Sequence, residues 1–258
     1  MTRLVGLTAT LCVFVFSTMS GAQERAEDYY DAERMRTARE ALFAGTSGGV
    51  HSFVLFDRLE HQSGGADDAL LWDFQAWRGG DQHKFWLKSE GDYSFDAERT
   101  EEAELQALYS RAISPNFDAQ FGLRHDFGSG PSHNYLVAGL QGVAPYWFEI
   151  DTAAYLSEDG DLSFHVEAEY EVLLTQRLIL QPRIELDLAA SDVAELDRSS
   201  GLVASSVGVR LRYEFKREFA PYIGVEWRDL HGGSADIARL SGDDRSETVF
   251  AAGLRIWF

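Results

Sequence analysis

Cysteine is almost missing from this chain. The single one, Cys12, sits inside an N-terminal apolar run, which leaves the rest without a disulfide or a thiolate metal site. Methionine is nearly as rare at three residues, and Met1 and Met19 fall in the same N-terminal stretch. Basic side chains are outnumbered, with 23 Lys and Arg against 42 Asp and Glu for a formal charge of -19. Phosphate backbones bind to positive surfaces, so a nucleic-acid partner is disfavoured. An acidic chain instead attracts cations or stays soluble in transit. Also absent is an apolar run long enough to cross a bilayer as a helix, which takes about 20 residues. The run Leu4–Phe16 is too short and follows the basic start Thr2-Arg3. With Ser20-Gly21-Ala22 supplying small residues for cleavage, residues 1–22 are expected to be a secretory signal peptide, and the mature chain starts near Gln23.

What is present points to strands. In the last fourteen residues, Arg245 to Phe258, Thr248, Phe250, Ala252, Leu254, Ile256 and Phe258 fall on one side of a two-residue repeat. Val249, Ala251, Gly253, Arg255 and Trp257 fall on the other. One face suits lipid and the other a polar lumen, which is the pattern of a transmembrane β-barrel strand. The terminal aromatic also resembles the assembly signal of bacterial outer-membrane barrels. Glycine at 23 residues and aromatics at 13% fit the same class.

Residues 23–49 read as a periplasmic segment with a linker. From Asp28 to Phe43, Met35, Ala38, Leu42 and Phe43 recur at helical spacing, which predicts one amphipathic helix ended by Gly45 and Thr46-Ser47-Gly48-Gly49. It is a periplasmic extension, a lumen plug or a docking helix. Residues 50–258 read as an all-β, antiparallel barrel of about twelve strands, each near the ~10 residues a tilted span needs. The strands are expected at 52–60, 70–78, 84–93, 103–110, 117–126, 134–141, 147–156, 162–173, 178–188, 202–215, 221–230 and 248–258. Tight turns at 78–82, 114–116, 142–145 and 175–177 alternate with longer acidic loops at 96–102, 189–201 and 231–246. Short periplasmic turns and long external loops orient such a barrel.

The strand faces carry the chemistry. In the eighth strand Phe164, Val166, Ala168, Tyr170 and Val172 oppose His165, Glu167, Glu169 and Glu171. In the ninth, Leu178, Leu180, Ile184, Leu186 and Leu188 oppose Gln181, Arg183, Glu185 and Asp187. In the tenth, Val203, Val207, Val209, Leu211 and Tyr213 oppose Ser206, Arg210, Arg212 and Glu214. A soluble barrel would alternate in the same way, with its apolar side inward. Tyr93, Tyr109, Tyr155, Tyr170, Tyr213, Tyr222 and Trp227 lie near strand ends, where interfacial girdles belong. A lumen this rich in Glu and Arg is expected to form an ion-pair network and to be narrow or plugged.

The helix Asp31-Ala32-Glu33-Arg34-Met35-Arg36-Thr37-Ala38-Arg39-Glu40-Ala41-Leu42, followed by Asp57-Arg58-Leu59-Glu60 and the final barrel, resembles the copper resistance protein B family of outer-membrane proteins. The resemblance runs from about Tyr29 to Phe258. It implies a Gram-negative outer-membrane location in contact with lipid, copper binding, a part in copper resistance and homeostasis, and a periplasmic copper-handling protein as partner. Many members carry an N-terminal segment rich in Met and His; here only Met35 outlasts the expected cleavage. Copper would therefore rely on histidines and carboxylates.

Among seven histidines no pair has the spacing of a zinc protease. His165 is the best single candidate, because Glu167 and Glu169 follow on its own face and the three could share a metal ion. The alternative is a His–Glu hydrogen bond within the ion-pair network. His61, His133 and His231 belong to polar loops and are expected to be solvated. His83 and His125 share lipid-face parity with Phe85 and Phe121, the place where an outer-membrane phospholipase would keep its catalytic pair, but no serine at convincing spacing accompanies them. The expected protein is non-enzymatic and binds copper at the outer membrane. Its rival is a narrow cation-preferring channel without copper specificity.

Overall fold

The computed structural model describes residues 29–46, 49–65, 67–193, 196, 198–242 and 244–258. The expected signal peptide, residues 1–22, lies outside the described residues. Contacts divide the chain after Gly48. On the N-terminal side is helix α1 (Ala32–Thr46). It starts later than the expected Asp28 because Asp31 caps it, its carboxylate accepting the Glu33 N–H at 3.5 Å and its carbonyl the Met35 N–H at 3.0 Å. It also continues through Gly45, the expected stop.

From Gly49 onward the chain is sheet. The strands are β1 (His51–Ser63), β2 (Ala69–Gly79), β3 (His83–Ser94), β4 (Arg99–Ala112), β5 (Phe117–Gly128), β6 (His133–Ala144) and β7 (Phe148–Ser157). They continue as β8 (Leu162–Tyr170), β9 (Val172–Leu173), β10 (Leu178–Ala189), β11 (Gly201–Tyr213), β12 (Phe219–Leu230) and β13 (Ser246–Trp257). Strands β8 and β9 both pair with β10 and form one stave broken at Glu171, so the described residues make a closed antiparallel barrel of 12 staves. Closure is made by β13 on β1, where Val54 and Phe258 exchange backbone hydrogen bonds of 2.9 and 3.0 Å. A closed sheet leaves no edge to satisfy, which is what lets strands cross a bilayer.

The two rims differ. At the rim where β1 begins, connections are tight: Gly80 N–H bonds to the His83 carbonyl at 3.0 Å, and the Ser114 and Thr175 hydroxyls accept the Phe117 and Leu178 N–H groups at 3.0 and 2.9 Å. The turn expected at 142–145 moves to Pro145–Trp147, because β6 pairs on to Ala144; Tyr146 and Trp147 then take φ of 69° and 67°. At the opposite rim, residues 190–200 and 231–245 are the long connections. The acidic stretch expected there at 96–102 is mostly strand, since β4 pairs from Arg99. The last loop folds an unexpected helix, α2 (Gly232–Ser241), closed by Gly242 at φ 95° whose N–H returns to the Ala238 carbonyl. Reciprocal bonds between Ser199 and Ser234, 2.9 and 3.0 Å, tie it to the neighbouring loop.

The alternating faces settle which side meets lipid. Phe85, Phe121, Leu123, Leu136, Ile223 and Phe250 are exposed on the outside, while Glu60, Arg183, Gln181, Arg210 and Glu226 are buried inside. A soluble barrel would do the reverse, so this is a membrane-spanning one. Tyr109, Tyr213 and Trp227 are exposed, as girdle residues are. Tyr155 and Tyr222 are buried in the lumen instead, because pleat parity places them with Asp151 and Glu226. Val203 also leaves the lipid side. The β10–β11 register skips it between Ala204 and Leu202, a bulge, and the residue is buried.

Candidate functional site

A bulge in β1 organises the lumen. Phe56 pairs with Phe74 and Arg58 with Asp73, leaving Asp57 as the extra residue. Two consecutive charges thereby enter the lumen, which strict alternation forbids. Asp57 meets Arg255 at 2.8 Å, while Arg58 meets Asp73 at 3.4 Å, Glu185 at 3.5 Å and Glu90.

Around Arg58 the staves β1, β10, β11 and β12 build a packed wall. Arg183 reaches Glu185 at 2.5 Å, Glu167 at 2.6 Å, Glu169 at 3.2 Å and, across the lumen, Asp73 at 3.9 Å. Arg210 grips Glu60 with two hydrogen bonds of 3.1 and 2.9 Å and also bonds Glu226 at 2.9 Å. Glu60 is 0% exposed; Tyr222 and Gln62 donate to it at 2.9 and 2.7 Å. Arg212 donates to Gln181 at 2.9 Å and Glu171 at 2.5 Å. The planar guanidinium fork suits such multiple carboxylate contacts. Gly253 belongs to this wall: a Cβ there would stand 2.7 Å from both Glu60 and Tyr222.

The other half of the lumen, along β3 to β8, is open. It holds a cavity of about 810 Å³ reaching from residues 128–131 at the long-loop rim to Gly142 and Glu149 near the tight-turn rim. Among its described lining residues 14 are Asp or Glu and 4 are Lys or Arg; Asp57, Asp73, Glu90, Glu167, Glu169 and Glu185 stand at its border with the wall, paired to Arg255, Arg58 and Arg183. Arg124, between Glu104 at 2.6 Å and Asp126 at 2.5 Å, lies 4.5 Å over the Tyr155 ring. Lys88 pairs with Asp151 from the far side of the opening. The lumen is therefore neither a filled plug nor a wide pore; one half is packed and the other is hollow and acidic.

His165, Glu167 and Glu169 all line this cavity where it meets the arginine wall. The imidazole Nδ1 lies 2.8 Å from Asp187 Oδ1, its partner across the β8–β10 ladder. Nε2 faces Glu167 Oε2 at 4.0 Å. Glu169 is drawn away, accepting from Gln181 at 2.5 Å and pairing with Arg183. So the fold sets His165 beside Glu167 but ties both carboxylates to the wall, Glu167 at 2.6 Å and Glu169 at 3.2 Å from Arg183. Among the described residues no three His, Asp or Glu converge as a ready metal cage. Asp187 is the partner that sequence reasoning left out of the site; its inward parity was readable, its register opposite His165 was not.

The remaining histidines sort differently from expectation in one case. His133 opens β6, is buried and lines the cavity, so it is not a solvated loop residue. His231 bonds Ser205 at 2.8 Å, and the His61 ring lies 5.6 Å from that of Phe95, tilted by 48°. On the lipid face His83 contacts Tyr109 at 2.5 Å and His125 contacts Asn134 at 2.9 Å.

Residues 50–258 match the family model described as copper resistance protein B precursor (CopB). Copper resistance protein B of Escherichia coli is 40% identical over 226 residues, covering 85% of this chain and 76% of that one. The copper resistance protein B homolog of Pseudomonas syringae pv. tomato is 38% identical over the same shares. Among solved structures, KdgM porin covers 80% of this chain and 98% of its own at TM-score 0.50 and 12% identity, and NanC porin covers 80% and 99% at 0.50 and 13%. At such identities the porins speak for the barrel fold alone.

Proposed function

This chain belongs to the copper resistance protein B family and has a role in copper resistance; from that premise we propose that its lumen binds copper ions as cargo at the outer membrane and catalyses no reaction. The observation that carries this reading is His165 at the wall of the acidic cavity. An Nδ1–H given to Asp187 leaves Nε2 free as a ligand, the arrangement in which an outer carboxylate orients a metal-binding histidine. Two ligands each about 2 Å from one ion stand at most about 4 Å apart. The 4.0 Å between His165 Nε2 and Glu167 Oε2 lies at that limit, so both reach one ion once Glu167 Oε2 gives up its 2.6 Å bond from Arg183. Imidazole and carboxylate suit Cu(II), and Glu169, like Glu167, joins the set only by leaving Arg183.

The surplus of carboxylates draws cations into the opening and holds each loosely, which suits cargo better than a resident ion. Residues 1–22 act as the export signal, residues 23–49 stay in the periplasm, where α1 meets a copper-handling protein, and residues 50–258 span the membrane. A second reading, a cation-preferring channel without copper specificity, is favoured by the same cavity, since general charge attraction would serve any cation.

Growth of a deletion strain across copper concentrations, with zinc and a detergent as controls, separates the two. Sensitivity to copper alone, rescued by the intact gene but not by one carrying His165→Ala, is the expected result. Equal growth in copper, or equal sensitivity to zinc, counts against a copper-specific role.

A further inference from the structure

The chain has three lysines, and two of them, Lys84 and Lys88, occupy the lumen side of β3. On the other strands Arg124 and Arg255 are each held by two carboxylates. Arg124 has Glu104 and Asp126; Arg255 has Asp57 at 2.8 Å and Glu171 at 3.1 Å. Among the described residues Lys88 is ion-paired to Asp151 alone, and Asp151 stands on β7, so the contact passes beneath β4, β5 and β6. Both side chains line the cavity, and Lys88 is the one lysine among its described lining residues. An ammonium is a compact, flexible point charge with no fork to lock it, so this bridge lacks the multiple contacts that fix the arginines.

We propose that Lys88 is a selectivity-determining residue: its bridge to Asp151 constricts the open half of the lumen, and a divalent cation widens it by taking the Asp151 carboxylate from the ammonium. A divalent ion gains twice the Coulomb attraction of a monovalent one at equal distance. A monovalent ion offers Asp151 only what Lys88 already provides. The inference rests on the reading that cations pass along the acidic cavity. It adds which residue bars the way and which charge class removes the bar.

The sequence supplies a clean test, because its single cysteine, Cys12, lies in the expected signal peptide. Glu149 is two residues nearer the tight-turn rim than Asp151 on the same face of β7, about 7 Å along the strand. A cysteine placed there by Glu149→Cys is probed in intact cells with a membrane-impermeant thiol reagent added outside. Labelling is expected to be slow with Lys88 present or with Lys88→Arg, and at least tenfold faster with Lys88→Met. Asp151→Asn releases the same bridge from its other end and must give the same acceleration. Calcium, used because copper oxidises thiols, is expected to speed labelling in the Lys88 background, while sodium at matched ionic strength leaves it unchanged.

Heat-modifiable mobility on gels confirms that each variant is a folded barrel. Fast labelling in every background overturns the bar and leaves cation passage standing. No labelling at 149 in any background, while Asp126→Cys higher in the cavity reacts, overturns passage and the bar together. Equal acceleration by calcium and sodium overturns the charge selection.

Discussion

The two halves of the lumen use the same acidic residues to opposite ends. On the β1, β10, β11 and β12 side, Arg58, Arg183, Arg210 and Arg212 are 2 to 5% exposed and each carries several carboxylate or amide contacts. Their charges are fixed by those contacts. Along β3 to β8 the carboxylates outnumber the bases and surround free volume. Buried charge is costly unless paired, so a cluster that is paired becomes scaffold. A cluster left in surplus beside water remains available to a mobile cation. The difference lies in arginine placement rather than in the acids: remove the guanidiniums and the wall would resemble the opening.

That contrast can be broken from the wall first. Glu60→Ala leaves Arg210 buried without its bidentate partner, and the barrel is expected to lose about 3–5 kcal/mol, read from urea unfolding in liposomes by tryptophan fluorescence. An unchanged midpoint would mean the wall is not a stabilising network. Gly253→Ala acts on the same place more mildly. The new methyl group, 2.7 Å from Glu60 and Tyr222, is expected to cost about 1–3 kcal/mol in the same assay. Substitution in the opening sharpens the comparison from the other side. Asp187→Asn removes a half-exposed carboxylate, so stability is expected to shift by under about 0.5 kcal/mol. Copper affinity of the purified barrel, by isothermal titration, is expected to weaken about tenfold as His165 loses its orienting partner. A stability loss rivalling that of Glu60→Ala would make the opening part of the scaffold.

How much of this was legible beforehand follows from what a two-residue period can encode. Parity placed Phe164 outside with His165, Glu167 and Glu169 inside, and it placed Val249 and Ala251 opposite Phe250. It also identified the fold and the short-turn rim. Register is not written in a single strand, so the meeting of His165 with Asp187, and of Lys88 with Asp151 beneath three staves, came only with the closed sheet. The bulge at Asp57 was invisible for a related reason. One extra residue shifts parity midway, and Asp57-Arg58 reads as one inward and one outward charge until β2 fixes the pairing. Tyr155 and Tyr222 were assigned by nearness to strand ends when their parity already pointed inward. Helix α2 was missed because Gly232-Gly233-Ser234 reads as a loop, and Ser199, far away in sequence, helps hold it.

Copper placement is the centre of the account, and electron paramagnetic resonance of Cu(II) added to the folded protein tests it most directly. The spectrum is expected to carry coupling to one imidazole nitrogen, which disappears in His165→Ala and persists in His61→Ala. An unchanged nitrogen signal in His165→Ala would contradict the assignment of the acidic opening as the place where copper meets this barrel.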